Sequence, residues 1–174
     1  MDDSIRATIL SVFDRHRERP GAPFEEARFL HFLMADNRRF KDVRNSFAGL
    51  RRLNAFYDAL QLECAVWLDV NAPEKDWSVD ALAKLTAEKK ANPQAQKVLV
   101  RKRVEQANAN VLYEPLKFGL ILIVPVVALT WGIAGGGIVG GVALALGVVA
   151  EVAIYLIARR EAQYYAKLRR VIEQ

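Results

Sequence analysis

The chain has 174 residues, of which 52% are hydrophobic, and it carries 25 lysines and arginines against 20 aspartates and glutamates. This length suits one domain, or one domain with a membrane anchor, and the single cysteine, Cys64, excludes an intramolecular disulfide. The net charge of +5 fits an anionic partner or, more simply, the basic residues that flank a membrane segment.

Three helices are predicted before residue 70, and no strand-like alternation stands out anywhere in the chain. The first covers residues 2–19, with Ile5, Ile9, Val12 and Phe13 on one face, and ends at the PGAP sequence of residues 20–23. A second helix follows over about residues 24–35. The third covers about residues 38–68, and its apolar stripe contains Phe40, Val43, Phe47, Leu50, Leu53, Phe56, Leu60 and Trp67.

Two further helices precede the most apolar part of the chain. Ser78 is a favourable N-cap for a helix over residues 79–90. The next helix begins at about Gln94, and its apolar stripe fits either a coiled-coil seam or a contact with the other helices. Only Pro115 separates this helix from the apolar segment, so the two are predicted to be nearly continuous. Pro125 is expected to bend the helix that follows.

The apolar segment runs from Phe118 to Ala158, and Glu151 is its only charged residue. As one helix it would be about 60 Å long, which matches two passes of a bilayer core about 30 Å thick. The predicted spans are residues 116–134 and 137–158, with a turn at the three glycines 135–137, where helix propensity is lowest.

Basic residues flank both ends of this segment, and the turn between the spans carries no charge. This pattern predicts that both termini are cytoplasmic and that the protein lies in the cytoplasmic (inner) membrane of a bacterium. The N-terminus lacks the features of a cleavable signal peptide. The predicted fold is therefore all-α: a cytoplasmic helical bundle (residues 1–115), a transmembrane helical hairpin (116–158) and a short basic amphipathic tail (159–174) placed along the headgroups.

A buried hairpin in a soluble helical protein is the alternative to a membrane segment. Some soluble toxins carry such a hairpin and insert it later. The order of amphipathic helices, apolar hairpin and basic tail is similar to that of pore-forming bacteriocin domains. No sequence motif accompanies this likeness, and no family is assigned.

One face of the second span combines small residues with the lone carboxylate. Glycines spaced by four let helix backbones approach closely in lipid, and an intramembrane carboxylate is expected to face protein or water. Lys117, near the same membrane end, is a candidate partner for that carboxylate. The predicted helix-packing or pore face consists of Gly140, Leu144, Gly147 and Glu151.

Residues 38–52, RRFKDVRNSFAGLRR, contain six basic residues and one acidic residue on one predicted helix. These basic residues are suited to binding an anionic ligand. The candidate ligands are a lipid headgroup, a nucleotide or oligonucleotide, and an acidic protein. The same residues fit a solvated helix face equally well. The candidate ligand-binding residues are Arg38, Arg39, Lys41, Arg44, Arg51 and Arg52.

No catalytic residue, metal site or cofactor is predicted. The two histidines, His16 and His31, lie far in sequence from Cys64, and no His/Cys spacing fits zinc. The first functional hypothesis is a non-enzymatic membrane protein whose cytoplasmic domain binds a protein partner, as an accessory, adaptor or immunity protein. The second is a homo-oligomeric channel or pore-forming effector gated through the basic domain.

Overall fold

The structure is a computed structural model, and it describes residues 3–34, 43–69, 78–134 and 137–174. Every regular element in these ranges is helical, so the predicted all-α class is confirmed for them. Two short elements accompany the α-helices: a 3₁₀ turn at Glu26–Arg28 and a π-helical turn at Gly119–Ile123. The α-helices are α1 (Asp3–His16), α2 (Phe29–Met34), α3 (Val43–Cys64), α4 (Val79–Lys90), α5 (Pro93–Phe118), α6 (Val124–Ala134) and α7 (Ile138–Glu173).

The chain divides into two compact units, Met1–Leu99 with Arg170–Gln174, and Val100–Arg169. The predicted boundaries after residues 115 and 158 fall inside α5 and α7, which continue through them. The two units differ in how they treat their apolar side chains. The first unit buries a core of large apolar side chains, and the second leaves most of its apolar side chains exposed.

Aromatic rings form the core of the first unit. The Phe29 ring is central, with its centroid 5.3 Å from that of Phe13 on α1 and 5.9 Å from that of Phe56 on α3. All three side chains are fully buried, as are the neighbouring Ile9 and Val12. The predicted inner face of α1 is therefore confirmed, and burial of three phenylalanines contributes much of the hydrophobic free energy of this unit.

The turn after α1 is held by polar contacts around Asp14. Gly21 has a positive φ of 77°, a conformation that favours glycine, and its N–H donates to Oδ1 of Asp14 at 2.9 Å. Arg17 is buried, with its guanidinium carbon 5.3 Å from the ring centroids of both Phe13 and Phe24 and its Nε 2.8 Å from the same Asp14 oxygen. The predicted stop at PGAP thus has a chemical basis in Asp14 as well as in Pro20.

The end of α3 differs from the sequence prediction. The helix ends at Cys64 instead of continuing to about residue 68, because Ala65 adopts a positive φ of 55° and the chain becomes extended. Side-chain amides then replace the helical hydrogen bonds: Gln61 Oε1 accepts from Leu68 N–H at 3.2 Å, and Gln96 Oε1 accepts from Trp67 N–H at 2.7 Å. The two buried glutamine side chains thus accept hydrogen bonds from backbone N–H groups that have no helical partner.

The start of α4 is as predicted. Ser78 has an extended backbone, and its Oγ accepts a hydrogen bond from Ala81 N–H at 3.1 Å. This contact satisfies one of the amides that a helix N-terminus leaves without an intrahelical partner. Within the helix, Thr86 is fully buried and donates its hydroxyl proton to the Leu82 carbonyl at 2.7 Å.

The second unit contains helices long and apolar enough to cross a membrane. The candidate spans lie within Pro93–Leu129 and Gly140–Glu173, and only 6% of the most apolar stretch of each is buried. As predicted, α5 runs without a break into the apolar segment, through the π-helical turn into α6. The C-terminal tail continues α7, and it buries Ala162 and Leu168 rather than presenting a wholly exposed apolar face.

Candidate functional sites

Close contacts between α7 and the helix before it involve two glycines. A Cβ placed on Gly147 would lie 2.9 Å from Cγ2 of Ile123, and one placed on Gly119 would lie 2.8 Å from Oε1 of Glu151. Both distances are shorter than ordinary van der Waals contact. The Glu151 oxygen is the end of a flexible side chain that can shift, whereas Gly147 lies against the branched side chain of Ile123, so Gly147 is the tighter contact. From the first contact to the second, the residue number rises from Gly119 to Ile123 on one helix and falls from Glu151 to Gly147 on the other. The two helices are therefore antiparallel.

The remaining members of the predicted face are placed differently. A Cβ on Gly140 would lie 3.7 Å from Cε3 of Trp131, which is an ordinary contact distance. Leu144 is 44% exposed and lines an open apolar groove of about 420 Å³. The other residues that line this groove are Ile123, Val124, Val127, Ala128 and Trp131. The structure thus directs Gly140, Gly147 and Glu151 toward the chain's own first apolar helix.

Lys117 is not the partner of Glu151. Its ammonium lies 5.9 Å from the ring centroid of Tyr113, one turn earlier on α5, and no ion pair joins it to Glu151 among the described residues. The carboxylate is half-buried and lies against Gly119.

The π-helical turn beside Glu151 was missed by the sequence analysis, although Pro125 signalled a disturbance there. Val124 N–H donates to the carbonyl of Gly119, five residues back, instead of to that of Leu120. Pro125 has no N–H to offer to the carbonyl of Leu120 or of Ile121. Proline in a membrane helix is tolerated through local π adjustments of this type, and π turns recur at functional sites.

The basic cluster is described only in part. Arg38, Arg39 and Lys41 lie outside the described residues, and Arg44 lies on α3 with no described side-chain position. Arg51 is exposed. The cluster therefore contributes one described and exposed cation, Arg51, to a surface that a ligand can reach.

Arg52, one of the predicted ligand-binding residues, makes contacts within the fold. Its Nε donates to the carbonyl of Leu33 at 2.9 Å, and its Nη2 lies 3.3 Å from Oε2 of Glu18. Leu33 belongs to the last turn of α2, whose carbonyls lack intrahelical donors. Arg52 thus caps α2 and links it to α3, so its guanidinium is already engaged.

Part of the predicted apolar stripe of α3 is exposed. Phe47 is 65% exposed and Leu50 is 47% exposed, whereas Phe56 and Leu60 of the same stripe are fully buried. Together with Arg51, one turn after Phe47, these residues form what we call the α3 outer face. Phe47 and Leu50 thus expose apolar area next to a cation on one helix face.

Burial shifts the pKa values of three titratable side chains in the first unit. Burial raises the pKa of the Cys64 thiol, which is the opposite of what a nucleophilic cysteine needs. Burial also raises the pKa of Tyr57 to about 12 and lowers that of His16. In the ranges that the structure describes, no cluster of three or more His, Cys, Asp or Glu side chains is placed to hold a metal ion.

Comparison with models of known protein families, with curated proteins and with solved structures finds no match to this chain. Its function is inferred from its own residues, above all from the two apolar helices and the α3 outer face.

Proposed function

We propose that this chain is an integral membrane protein, without enzymatic activity, whose N-terminal helical unit faces the cytoplasm and binds a protein partner. Membrane residence is supported by the exposure of the two apolar helices. Only 6% of the most apolar stretch of each helix is buried. A core helix of a soluble protein is mostly buried, whereas the described residues of this chain leave these side chains without a cover. A bilayer provides that cover.

The antiparallel register supports two passes of equal depth. Gly119 lies opposite Glu151, and Ile123 lies opposite Gly147. If both helices continue in this register, Val111 lies opposite Arg159. The stretches beyond this level, residues 112–134 and 138–158, are about 34 Å and about 31 Å long at helical rise, and the first contains Glu114 and Lys117 in its first two turns. Both match a bilayer core of about 30 Å. Leu112, which is 78% exposed, then begins the first span four residues earlier than the sequence pattern alone indicated.

The α3 outer face is the surface we propose for partner binding. Phe47 and Leu50 offer apolar contact, and Arg51 offers a cation without a partner in the described structure. Aromatic and arginine side chains dominate the binding energy of protein interfaces. The complementary partner is an acidic protein segment that carries at least one large apolar side chain.

A homo-oligomeric channel, gated through the basic domain, is the other hypothesis from the sequence. Its pore face would include Gly147 and Glu151, and these residues face the preceding helix of the same chain. Glu151 nevertheless places a carboxylate in the apolar segment. The number of chains in the purified assembly separates the hypotheses, since a channel requires a ring of several copies.

Site-specific photocrosslinking tests the α3 outer face. A photoreactive phenylalanine analogue at Phe47 is expected to give one discrete protein adduct in native membranes, and Arg51→Glu is expected to reduce its yield about tenfold or more, since interface residues of this type contribute about 2 kcal/mol. The same analogue at Lys84, an exposed position on α4, is the control. Adducts with lipid or with a second copy alone, or equal adducts at Lys84, would contradict partner recognition by this face.

Cysteine labelling tests the topology. Cysteines introduced at Asp3 and Gln174 are expected to resist an impermeant maleimide in intact cells, whereas one at Gly136, in the neutral turn outside the described residues, is expected to react. The native Cys64 gives little background because it is buried and its pKa is raised. Labelling of either terminus from outside the cell would overturn the proposed orientation.

A further inference from the structure

Two adjacent arginines, Arg159 and Arg160, directly follow the second apolar stretch on α7. Residues 138–158 form about 31 Å of helix, which matches the thickness of a bilayer core. The helix does not end at this level, because α7 continues without a break to Glu173. The two arginines are therefore held on a regular helix where the proposed hydrocarbon region ends.

Both arginines are exposed, and each continues a side of α7 that is also exposed inside the apolar stretch. Tyr155, one turn before Arg159, is 37% exposed, and Leu156, one turn before Arg160, is 55% exposed. Residues four apart lie on the same side of a helix. Two sides of α7 that would face lipid are thus each followed by a guanidinium group at the membrane boundary.

The direction of α7 favours contact between these side chains and the membrane surface. Helical side chains lean toward the N-terminus of their helix. The N-terminus of α7 lies at the turn between the two apolar stretches, on the far side of the proposed membrane. We therefore expect both arginine side chains to lean back toward the bilayer, to the depth of the headgroup phosphates.

The neighbouring positions on α7 leave both arginines available to an anion. Ion pairs within a helix form between residues three or four apart. Glu161 is exposed, but it lies about 160° around the helix from Arg159 and is adjacent in sequence to Arg160. The residues three and four positions from the arginines are all uncharged: Tyr155, Leu156, Ile157, Ala162, Gln163 and Tyr164.

We propose that Arg159 and Arg160 bind the headgroup phosphates of anionic phospholipids in the cytoplasmic leaflet. A guanidinium group presents paired N–H donors that match two oxygens of one phosphate group, and its charge complements that of the lipid. The Tyr155 ring, one turn deeper, suits the interface between headgroups and acyl chains. This inference rests on the membrane residence proposed above and adds to it the lipid class and the residues that select it.

Native mass spectrometry of the full-length protein released from lipid nanodiscs tests this site. The nanodiscs contain equal amounts of phosphatidylglycerol and phosphatidylcholine, with acyl chains that give the two lipids different masses. We expect the unaltered protein to retain phosphatidylglycerol in excess. The double variant Arg159→Gln, Arg160→Gln is expected to reduce that excess about fivefold or more, because each cation at the membrane surface strengthens binding to anionic lipid about fivefold.

The double variant Lys102→Gln, Lys167→Gln is the matched control. It removes the same number of positive charges from exposed positions of the same unit. Lys167 lies eight residues, or about 12 Å of helix, beyond Arg159, and Lys102 lies ten residues, or about 15 Å, before Leu112. Because both lysines are further from the proposed boundary, we expect the excess of phosphatidylglycerol to stay within about twofold of that of the unaltered protein.

The site is wrong if the unaltered protein retains both lipids equally, or if the arginine and lysine variants lose phosphatidylglycerol to the same extent, which would reflect net charge alone. Displacement of phosphatidylglycerol by inorganic phosphate at constant ionic strength would assign the arginines to a free anion and overturn the headgroup assignment. Incorporation into nanodiscs is measured in parallel. Failure of the unaltered chain to incorporate contradicts membrane residence itself, whereas incorporation without selection contradicts only this site.

Discussion

Replacement of Gly147 by leucine is expected to separate the two apolar helices. A Cβ at this position would lie 2.9 Å from Cγ2 of Ile123 and 3.3 Å from both Cγ1 and Cδ1, so Ile123 or the helix itself must shift to admit a leucine. Helices in lipid associate through close packing and not through a hydrophobic driving force, so the lost contacts are not replaced. A crosslink by a short bifunctional thiol reagent between cysteines at Trp131 and Gly140, which face each other across the two helices, is expected to form in the parent protein and to be almost absent in the variant.

Gly141→Leu is the matched control. Gly141 lies on the same helix and is exposed, and nothing lies within 4 Å of a Cβ placed on it. Leucine there is expected to face lipid and to leave the crosslink intact. If Gly147→Leu and Gly141→Leu give the same crosslinking yield, close packing at Gly147 is not what holds the helices together.

Truncation of Phe13 to alanine is expected to unfold the first unit. The side chain is fully buried, with its ring centroid 4.7 Å from that of Phe24 and 5.3 Å from that of Phe29. Deleting a buried phenylalanine ring costs about 3 to 5 kcal/mol, a large fraction of the stability of a small domain. Denaturant unfolding followed through tryptophan fluorescence is the measurement, and loss of the photocrosslink at the α3 outer face is the expected functional consequence.

Membrane insertion of Phe13→Ala is expected to persist, since the apolar helices belong to the other unit and carry their own hydrophobic signal. Phe47→Ala is the control for stability, because Phe47 is 65% exposed and its truncation is expected to change the unfolding free energy by less than about 0.5 kcal/mol. A similar loss of stability in both variants would contradict the division between core and outer face.

Local signals predicted the elements whose chemistry is contained in a few consecutive residues. Ser78 caps α4 as expected because the cap needs only its own hydroxyl and an amide three residues later. The inner face of α1 was correctly assigned from Ile5, Ile9, Val12 and Phe13, since a spacing of three and four places apolar side chains on one side of a helix.

The apolar stripe of α3 shows where this reasoning ends. Periodicity predicted one continuous stripe, yet Phe47 and Leu50 are exposed while Phe56 and Leu60 are buried. An apolar stripe in the sequence predicts which side chains share one face of a helix. Those side chains are buried only where another element packs on that face. In the described ranges, α1 and α2 pack on α3, and Phe29 reaches Phe56, but the face around Phe47 is left open.

The basic residues show the same limit in electrostatic form. Arg51 and Arg52 carry the same charge and are adjacent in the sequence, but only Arg52 contacts Glu18 and the end of α2. The direction of adjacent side chains on a helix differs by about 100°. One of two neighbouring arginines therefore becomes part of the fold and the other stays at the surface.

The all-α class and the two helices capable of crossing a membrane are contained in the order of the residues, because helix periodicity and hydrophobic length are properties of a single segment. The tertiary contacts alone established that Gly147 meets Ile123 and that Glu151 lies against Gly119 and away from Lys117. Those contacts depend on the register between two helices, and register is set by side-chain shapes meeting across an interface, which no single segment encodes.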